Sequence, residues 1–166
     1  MSIEATRGDI TVEPVDAIVN AANGALRRGA GVCGAIFAAA GPELDPACAA
    51  IGGCATGDAV VTPGFALPAL WIVHTVGPVW SGGNRGEPET LASCYRNSLR
   101  VASQNGIRTI AFPAISCGAY RYPIADAARI AVETTREFLR ENDSISQVSF
   151  VVSSDEIQAT YQRLLR

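Results

Sequence analysis

The sequence predicts a three-layer α/β/α sandwich around a central mixed, mostly parallel sheet of about six strands. Three observations carry that expectation. Short apolar runs recur along the chain without clean alternation, as strands covered on both faces do. Segments with a 3.6-residue apolar stripe lie between those runs. The 166 residues, 48% of them hydrophobic and 17% charged, suit one compact unit with a full core. Strands that alternate with helices assemble as a parallel sheet with helices on both faces. No repeat, low-complexity tract or linker divides the chain, so residues 1–166 are expected to form a single domain.

The strands are expected at Ile3–Thr6, Ala17–Asn20, Ala59–Thr62, Trp71–Val76, Thr109–Pro113 and Gln147–Val152. An Ala-rich segment after the glycines at 29–34 reads as a helix. The segment Glu89–Asn105 places Leu91, Cys94, Tyr95, Ser98, Leu99 and Ala102 on one stripe. The segment Ile124–Glu141 does the same with Ile124, Ala127, Ala128, Ala131, Thr135, Phe138 and Leu139. Asp155–Leu165 reads as a terminal helix with Ser153 or Ser154 as N-cap. Residues Ser81–Pro88 read as a surface loop.

Composition removes several function classes. A net charge of −3 and a pI near 5.1 argue against a duplex nucleic-acid surface, which needs clustered Lys and Arg. No apolar run approaches the ~20 residues of a membrane span, and the N-terminus lacks a signal-peptide pattern. The five cysteines (Cys33, Cys48, Cys54, Cys94, Cys117) are odd in number and form no CxxC pair, and His74 is the only histidine. Neither a metal site nor a disulfide framework is expected, and a cytoplasmic location fits. His74 lies in an apolar strand and reads as a core residue. The chain lacks a GxGxxG fingerprint with a later acidic partner, which ranks a dinucleotide-dependent oxidoreductase low.

Chemistry concentrates in two small-residue loops. Asn20-Ala21-Ala22-Asn23 follows a buried-strand run and leads into Gly29-Ala30-Gly31-Val32-Cys33-Gly34. Ala114–Tyr120 follows the strand at Thr109–Pro113. Ligands of parallel sheets sit at the carboxyl ends of strands. A small-residue loop opening a helix presents N–H groups to an anion, and asparagine offers a donor and an acceptor to hydroxyls. Two such loops could clamp a diphosphate with backbone alone, which suits a chain without lysine. The ligand expected from these residues is phosphorylated and rich in hydroxyls, such as a nucleotide sugar.

These residues resemble the macro domain family, in particular its MacroD-like branch. The matching stretches are Gly8-Asp9-Ile10-Thr11, Val19–Asn23, Gly31–Ile36, Ala39-Ala40-Gly41, His74–Pro78 and Phe112–Ser116, in order along the chain. The resemblance implies a macro domain fold that binds ADP-ribose. Many members also remove ADP-ribose from proteins or deacetylate O-acetyl-ADP-ribose. By position, Asp9 accepts from the adenine amino group with the Ile10 backbone beside it. Ala22 lies beside Asn23, which binds the distal ribose and is a catalytic candidate. Gly31, Val32, Cys33 and Gly34 form the first phosphate loop. Ser116, Cys117, Gly118 and Ala119 form the second, and Tyr120 packs on the distal ribose. Cys33 stands where MacroD-like hydrolases usually carry an aspartate, and Phe37 where they often carry a histidine. Small residues, Ser153 and Ser154, stand on the adenine side. Two readings follow: a hydrolase of ADP-ribosyl esters, and a reader that binds ADP-ribose without turnover. Arg27 and Arg28 read as a solvated turn or as contacts to an acidic acceptor protein. No cofactor is expected. The partner is ADP-ribose or an ADP-ribosylated protein, and the protein is expected to be a monomer.

Overall fold

The computed structural model describes all 166 residues. Six strands form one sheet: β1 (Ser2–Arg7), β2 (Ala17–Ala21), β3 (Ala59–Pro63), β4 (Trp71–Thr75), β5 (Thr109–Phe112) and β6 (Gln147–Val152). Their order across the sheet is β1-β6-β5-β2-β4-β3. Every neighbouring pair is parallel except β3 with β4. Five helices surround it: α1 (Gly31–Ala40), α2 (Leu44–Ile51), α3 (Glu87–Gln104), α4 (Ile124–Glu141) and α5 (Asp155–Leu165). The expected mixed α/β/α sandwich is the fold observed.

Strand alternation divides the core in two. Ala17, Val19, Val73, Ile110, Phe112, Val148 and Phe150 face one side of the sheet and pack with α3, α4 and α5. Ile18, Ile72, Ala111 and Val151 face the other and pack with α1 and α2. The larger side holds an aromatic cluster in which Tyr95 on α3 lies 5.0 Å from Phe112, and Phe150 lies 4.8 Å from Tyr161 on α5.

The two long helices follow their periodicity. All six stripe residues expected for α3 are buried. The terminal helix is capped as expected: the Ser154 side chain accepts from the Ile157 N–H at 3.3 Å. Helix α3 begins two residues earlier than expected. Pro88 sits at its start, where a missing N–H does no harm, and Glu87 is buried beneath the preceding loop. The Glu87 carboxylate accepts N–H groups from Ser81, Gly83 and Arg85 at 2.7–2.9 Å. Those bonds, with that from Gly83 foremost, hold its pKa near 2. The expected surface loop is therefore a folded clasp around one carboxylate. All five cysteines are free thiols. No helix is long and apolar enough to cross a membrane.

The crossovers place the site. The chain leaves β2 toward α1 on one face, and leaves β5 toward α4 on the other. Adjacent strands β2 and β5 thus diverge at their carboxyl ends, and a crevice opens between the loops that follow them.

Candidate functional site

A cleft of about 560 Å³ runs across the carboxyl ends of the parallel strands. Each of those strands contributes the residues that follow it: Gly8–Ile10 after β1, Ala22 and Asn23 after β2, Gly77 after β4, Pro113–Tyr120 after β5 and Ser153 after β6. Asp9, Ile10, Ala22, Asn23, Gly31, Val32, Cys33, Ser116, Cys117, Gly118, Ala119 and Tyr120 all line it, where the sequence placed them. Gly34 does not. A Cβ there would lie 2.5 Å from the Gly29 carbonyl oxygen, so Gly34 lets the loop fold back onto α1 instead of facing the cleft.

The first loop is shaped for an anion. Gly31 has φ +60, a conformation that favours glycine, and it opens α1. The N–H groups of Gly31, Val32 and Cys33 meet no acceptor in the protein, while Gly34 N–H already bonds the Ala30 carbonyl at 3.4 Å. The positive end of the α1 dipole lies at the same place. Asn23 holds the loop from within. Its amide nitrogen donates to the Arg27 carbonyl at 2.8 Å, and its amide oxygen accepts from the Arg27 N–H at 3.0 Å.

Cys33 is buried just below Asn23. A Cβ on Gly29 would lie 3.6 Å from both the Asn23 amide nitrogen and the Cys33 sulfur, so the three meet at one point. The Cys33 sulfur lies 3.7 Å from the Arg27 carbonyl and 3.7 Å from the amide nitrogen of Asn20. From there a polar chain runs into the core. The Asn20 amide nitrogen donates to Nδ1 of His74 at 3.1 Å, and Nε2 of His74 reaches the Thr62 hydroxyl at 2.9 Å. Burial lowers the His74 pKa to about 4, so the ring is neutral and carries its proton on Nε2. The expected core histidine is thus a core residue that orients Asn20 beneath the cleft.

The second loop is strained and pinned. Ser116 has φ +66, rare for a residue with a Cβ, and its hydroxyl donates to the Pro78 carbonyl at 2.8 Å. Its carbonyl accepts from the Tyr122 N–H at 2.9 Å. The buried Tyr95 hydroxyl accepts from the Ile115 N–H at 3.3 Å. Gly77 passes so close that a Cβ would overlap the Ser116 hydroxyl and an Ile115 methyl. These ties leave the N–H groups of Ser116, Gly118, Ala119 and Tyr120 without protein acceptors. Burial pushes the Cys117 thiol up to about 11, so it contributes a neutral side chain.

Asp9 is the one charged residue that lines the cleft. One of its carboxylate oxygens accepts from the Thr11 hydroxyl at 2.7 Å and the Thr11 N–H at 3.0 Å. Those bonds hold its pKa below the usual carboxylate range and cap a short turn at Ile10–Val12. The second oxygen is free for a donor. Gly8, Gly77, Pro113 and Ile115 also line the cleft, each inside a stretch noted in the sequence but not singled out as a site residue; Val151 and Val152 at the end of β6 and Ile157 on α5 line it without a local sequence signal. The strand-end rule is the signal that finds most of them.

The arrangement presents main-chain N–H groups without protein acceptors from two facing loops, with a free carboxylate oxygen at one end and an amide at the other. No cluster of three or more His, Cys, Asp or Glu is placed to hold a metal.

Known proteins are similar to this chain in sequence and in fold. A macro domain-containing protein of Chlorobaculum tepidum is 55% identical over 163 residues, 98% of this chain and 95% of its own. A protein of Klebsiella pneumoniae named O-acetyl-ADP-ribose deacetylase is 51% identical over 98% of this chain and 95% of its own. Among solved structures, the Oceanobacillus iheyensis macrodomain with ADP superposes with a TM-score of 0.93 at 45% identity, covering 97% of this chain and 88% of its own. The Trypanosoma brucei macrodomain in complex with ADP-ribose superposes at 0.94 with 41% identity, covering 99% and 69%. The Macro domain sequence profile matches residues 19–131, the span from β2 through both cleft loops into α4. This chain belongs to the macro domain family.

Proposed function

We propose that the cleft binds ADP-ribose and hydrolyses ADP-ribosyl esters: mono-ADP-ribose on Asp or Glu side chains of proteins, O-acetyl-ADP-ribose, or both. The observation that carries this reading is the pair of facing loops whose N–H groups lack acceptors. A diphosphate would satisfy both rows at once. The free oxygen of Asp9 then accepts from the adenine amino group, and Asn23 meets the distal ribose. Tyr120 packs against that sugar.

The chemistry rests on positioning. The bent diphosphate lends an oxygen that orients a water at the reacting carbon. The water oxygen bonds to that carbon, the ester C–O bond breaks, and the carboxylate leaves with the electron pair. For a protein ester the water's proton passes to bulk solvent; for O-acetyl-ADP-ribose attacked at its acetyl carbonyl, the ribose oxygen is the leaving group and takes up that proton. A carboxylate with a pKa near 4 needs no acid to depart. Holding water and ester in register supplies much of the barrier reduction, and backbone N–H groups stabilise developing negative charge. The reading places the protein in the cytoplasm, acting as a monomer on an ADP-ribosylated protein.

A second reading, a non-catalytic ADP-ribose reader, is favoured by one feature. The Asn23 end of the cleft is lined by neither a carboxylate nor an imidazole: Cys33 stands there, and Phe37 is buried in the core behind it. One experiment separates the two. Release of ADP-ribose from a glutamate-linked, mono-ADP-ribosylated protein is measured beside Asn23→Ala, with ADP-ribose affinity determined by calorimetry. Release that depends on Asn23 supports the hydrolase. Binding without release, on this substrate and on O-acetyl-ADP-ribose, establishes the reader, and absence of binding overturns both.

A further inference from the structure

The chain is acidic overall, yet both loops of the cleft lie in stretches without a single acid. Residues 17–42 carry Arg27 and Arg28 and no Asp or Glu; residues 90–125 carry Arg96, Arg100, Arg108 and Arg121 and no Asp or Glu. Arg27, Arg28 and Arg121 are exposed. The ion pairs of the protein are Arg7 with Asp155 and Arg129 with Asp126, so these three arginines have no carboxylate partner. Arg27 and Arg28 do not line the cleft; they lie in the exposed turn between its lining residues Asn23 and Gly29, with the Arg27 backbone bonded to Asn23, which puts them at one rim. Arg121 follows Tyr120 on the other. Arg121 is held at φ +62, a strained conformation for arginine, by its N–H bond to the Gly118 carbonyl at 3.0 Å. The one carboxylate of the cleft, Asp9, follows β1, three strand spacings from β2, or about 14 Å away. Beside Arg121's loop, Val79 is 57% exposed, and the Trp80 N–H bonds the Tyr120 carbonyl at 2.9 Å.

We propose that these arginine lips dock an acidic segment of the modified protein, so that the preferred substrates carry ADP-ribose on an Asp or Glu inside an acid-rich stretch. This rests on the ADP-ribose reading of the cleft and names the class of protein presented to it. Guanidinium groups pair with carboxylates through paired N–H donors. Each exposed pair contributes little. Arginines on both lips act together on one segment, while the net negative charge of the rest of the protein repels that segment from other faces.

The test uses two synthetic peptides, each bearing one glutamate-linked ADP-ribose, one with acidic flanks and one with neutral flanks. Binding to the full chain is compared with free ADP-ribose and with Arg28→Glu/Arg121→Glu and Arg28→Gln/Arg121→Gln, each checked for an unchanged Tm. The acidic peptide binds on the order of tenfold more tightly than the neutral one, and the Arg→Glu pair removes that gap while free ADP-ribose binds as before. The Arg→Gln pair gives an intermediate gap. The gap closes as salt rises from 0.01 to 1 M, where the screening length falls from about 30 Å to about 3 Å. Equal binding of the two peptides, with ADP-ribose binding intact, overturns the docking proposal alone. So does an unmodified single-stranded oligonucleotide that competes better than the unmodified acidic peptide. Loss of ADP-ribose binding by the unmutated chain overturns the reading of the cleft itself.

Discussion

Asn23 and the backbone of Arg27 form a closed two-bond ring, 2.8 Å on one side and 3.0 Å on the other. Asn23 is therefore a shaping residue as well as a candidate ligand contact. Truncation removes both bonds and frees the five-residue turn that brings Gly29 against Cys33. Asn23→Ala is expected to weaken ADP-ribose binding at least tenfold and to abolish ester hydrolysis, by calorimetry and release assays. Asn23→Ser, which keeps one short polar group, should recover less than half of the affinity. Full affinity and turnover in Asn23→Ala would remove Asn23 from the site.

Gly77 and Gly118 make a matched pair of glycine tests. A methyl at Gly77 collides with Ser116 and Ile115, whereas one at Gly118 meets nothing. Gly77→Ala must push the second loop away from its pinned position, at about 1–3 kcal/mol of stability and with loss of the N–H alignment. Gly118→Ala is expected to leave Tm within experimental scatter. Equal behaviour of the two variants would show that the second loop is not pre-shaped.

His74 gives a pH dependence. Its folded-state pKa is about 4, against an ordinary value of 6.5. Between those values the unfolded chain binds the proton and the folded chain does not, so stability falls as pH drops from 6.5 toward 4. The full effect is about 3 kcal/mol. Urea unfolding at pH 7.5, 5.5 and 4.5 should trace this loss, and His74→Gln should flatten that part of the curve. An unchanged slope in the variant would assign the acid sensitivity elsewhere.

Cys33→Asp probes whether the distal end lacks a carboxylate. At the start of α1 an aspartate gains from the helix dipole and can accept from the Asn20 amide. Under the positioning mechanism, turnover changes by less than tenfold. A rise of a hundredfold or more would show that the natural chain is a reader.

Glu87 anchors the loop after β4 through three N–H bonds. Its stabilising effect is present at neutral pH and is lost as pH falls from 4.5 through about 2. Glu87→Ala should open residues 81–86 to limited proteolysis at neutral pH, while Glu87→Gln, with one amide oxygen left to accept, is cut more slowly. Resistance of both variants would mean that the loop is held by Trp80 packing instead.

Most of the fold was legible in the chain. Each expected strand coincides with an observed one to within two residues at either end, because buried strands are apolar runs of the right length. Two helices, α4 and α5, were expected at their observed limits. The short helix α2 was not foreseen. It spans eight residues, has no side-chain cap, and carries Pro46 inside its first turn. The Ile10–Val12 turn is three residues long, all of them β-branched, and only the Asp9 cap shapes it. In the site, contiguous loops were legible because their small residues announce close approach. Val152 and Ile157 were not, since the topology alone gathers them. Gly34 stands inside the motif, but its backbone packs against Gly29 and it does not line the cleft.

The anion cradle described above is made of amide hydrogens, and amide hydrogens are common to nearly every residue. A change of codon can erase a lysine's charge in one step; it erases an N–H only by encoding proline. Heredity can therefore rewrite most side chains along Val32–Cys33 and Cys117–Tyr120 while the cradle persists. What it cannot alter freely are a few silent spaces, Gly34 and Gly77 among them, where the absence of a carbon atom is the inherited trait. The side chain at position 33 is then open to drift, and reaction chemistry can change over generations while ligand capture is retained.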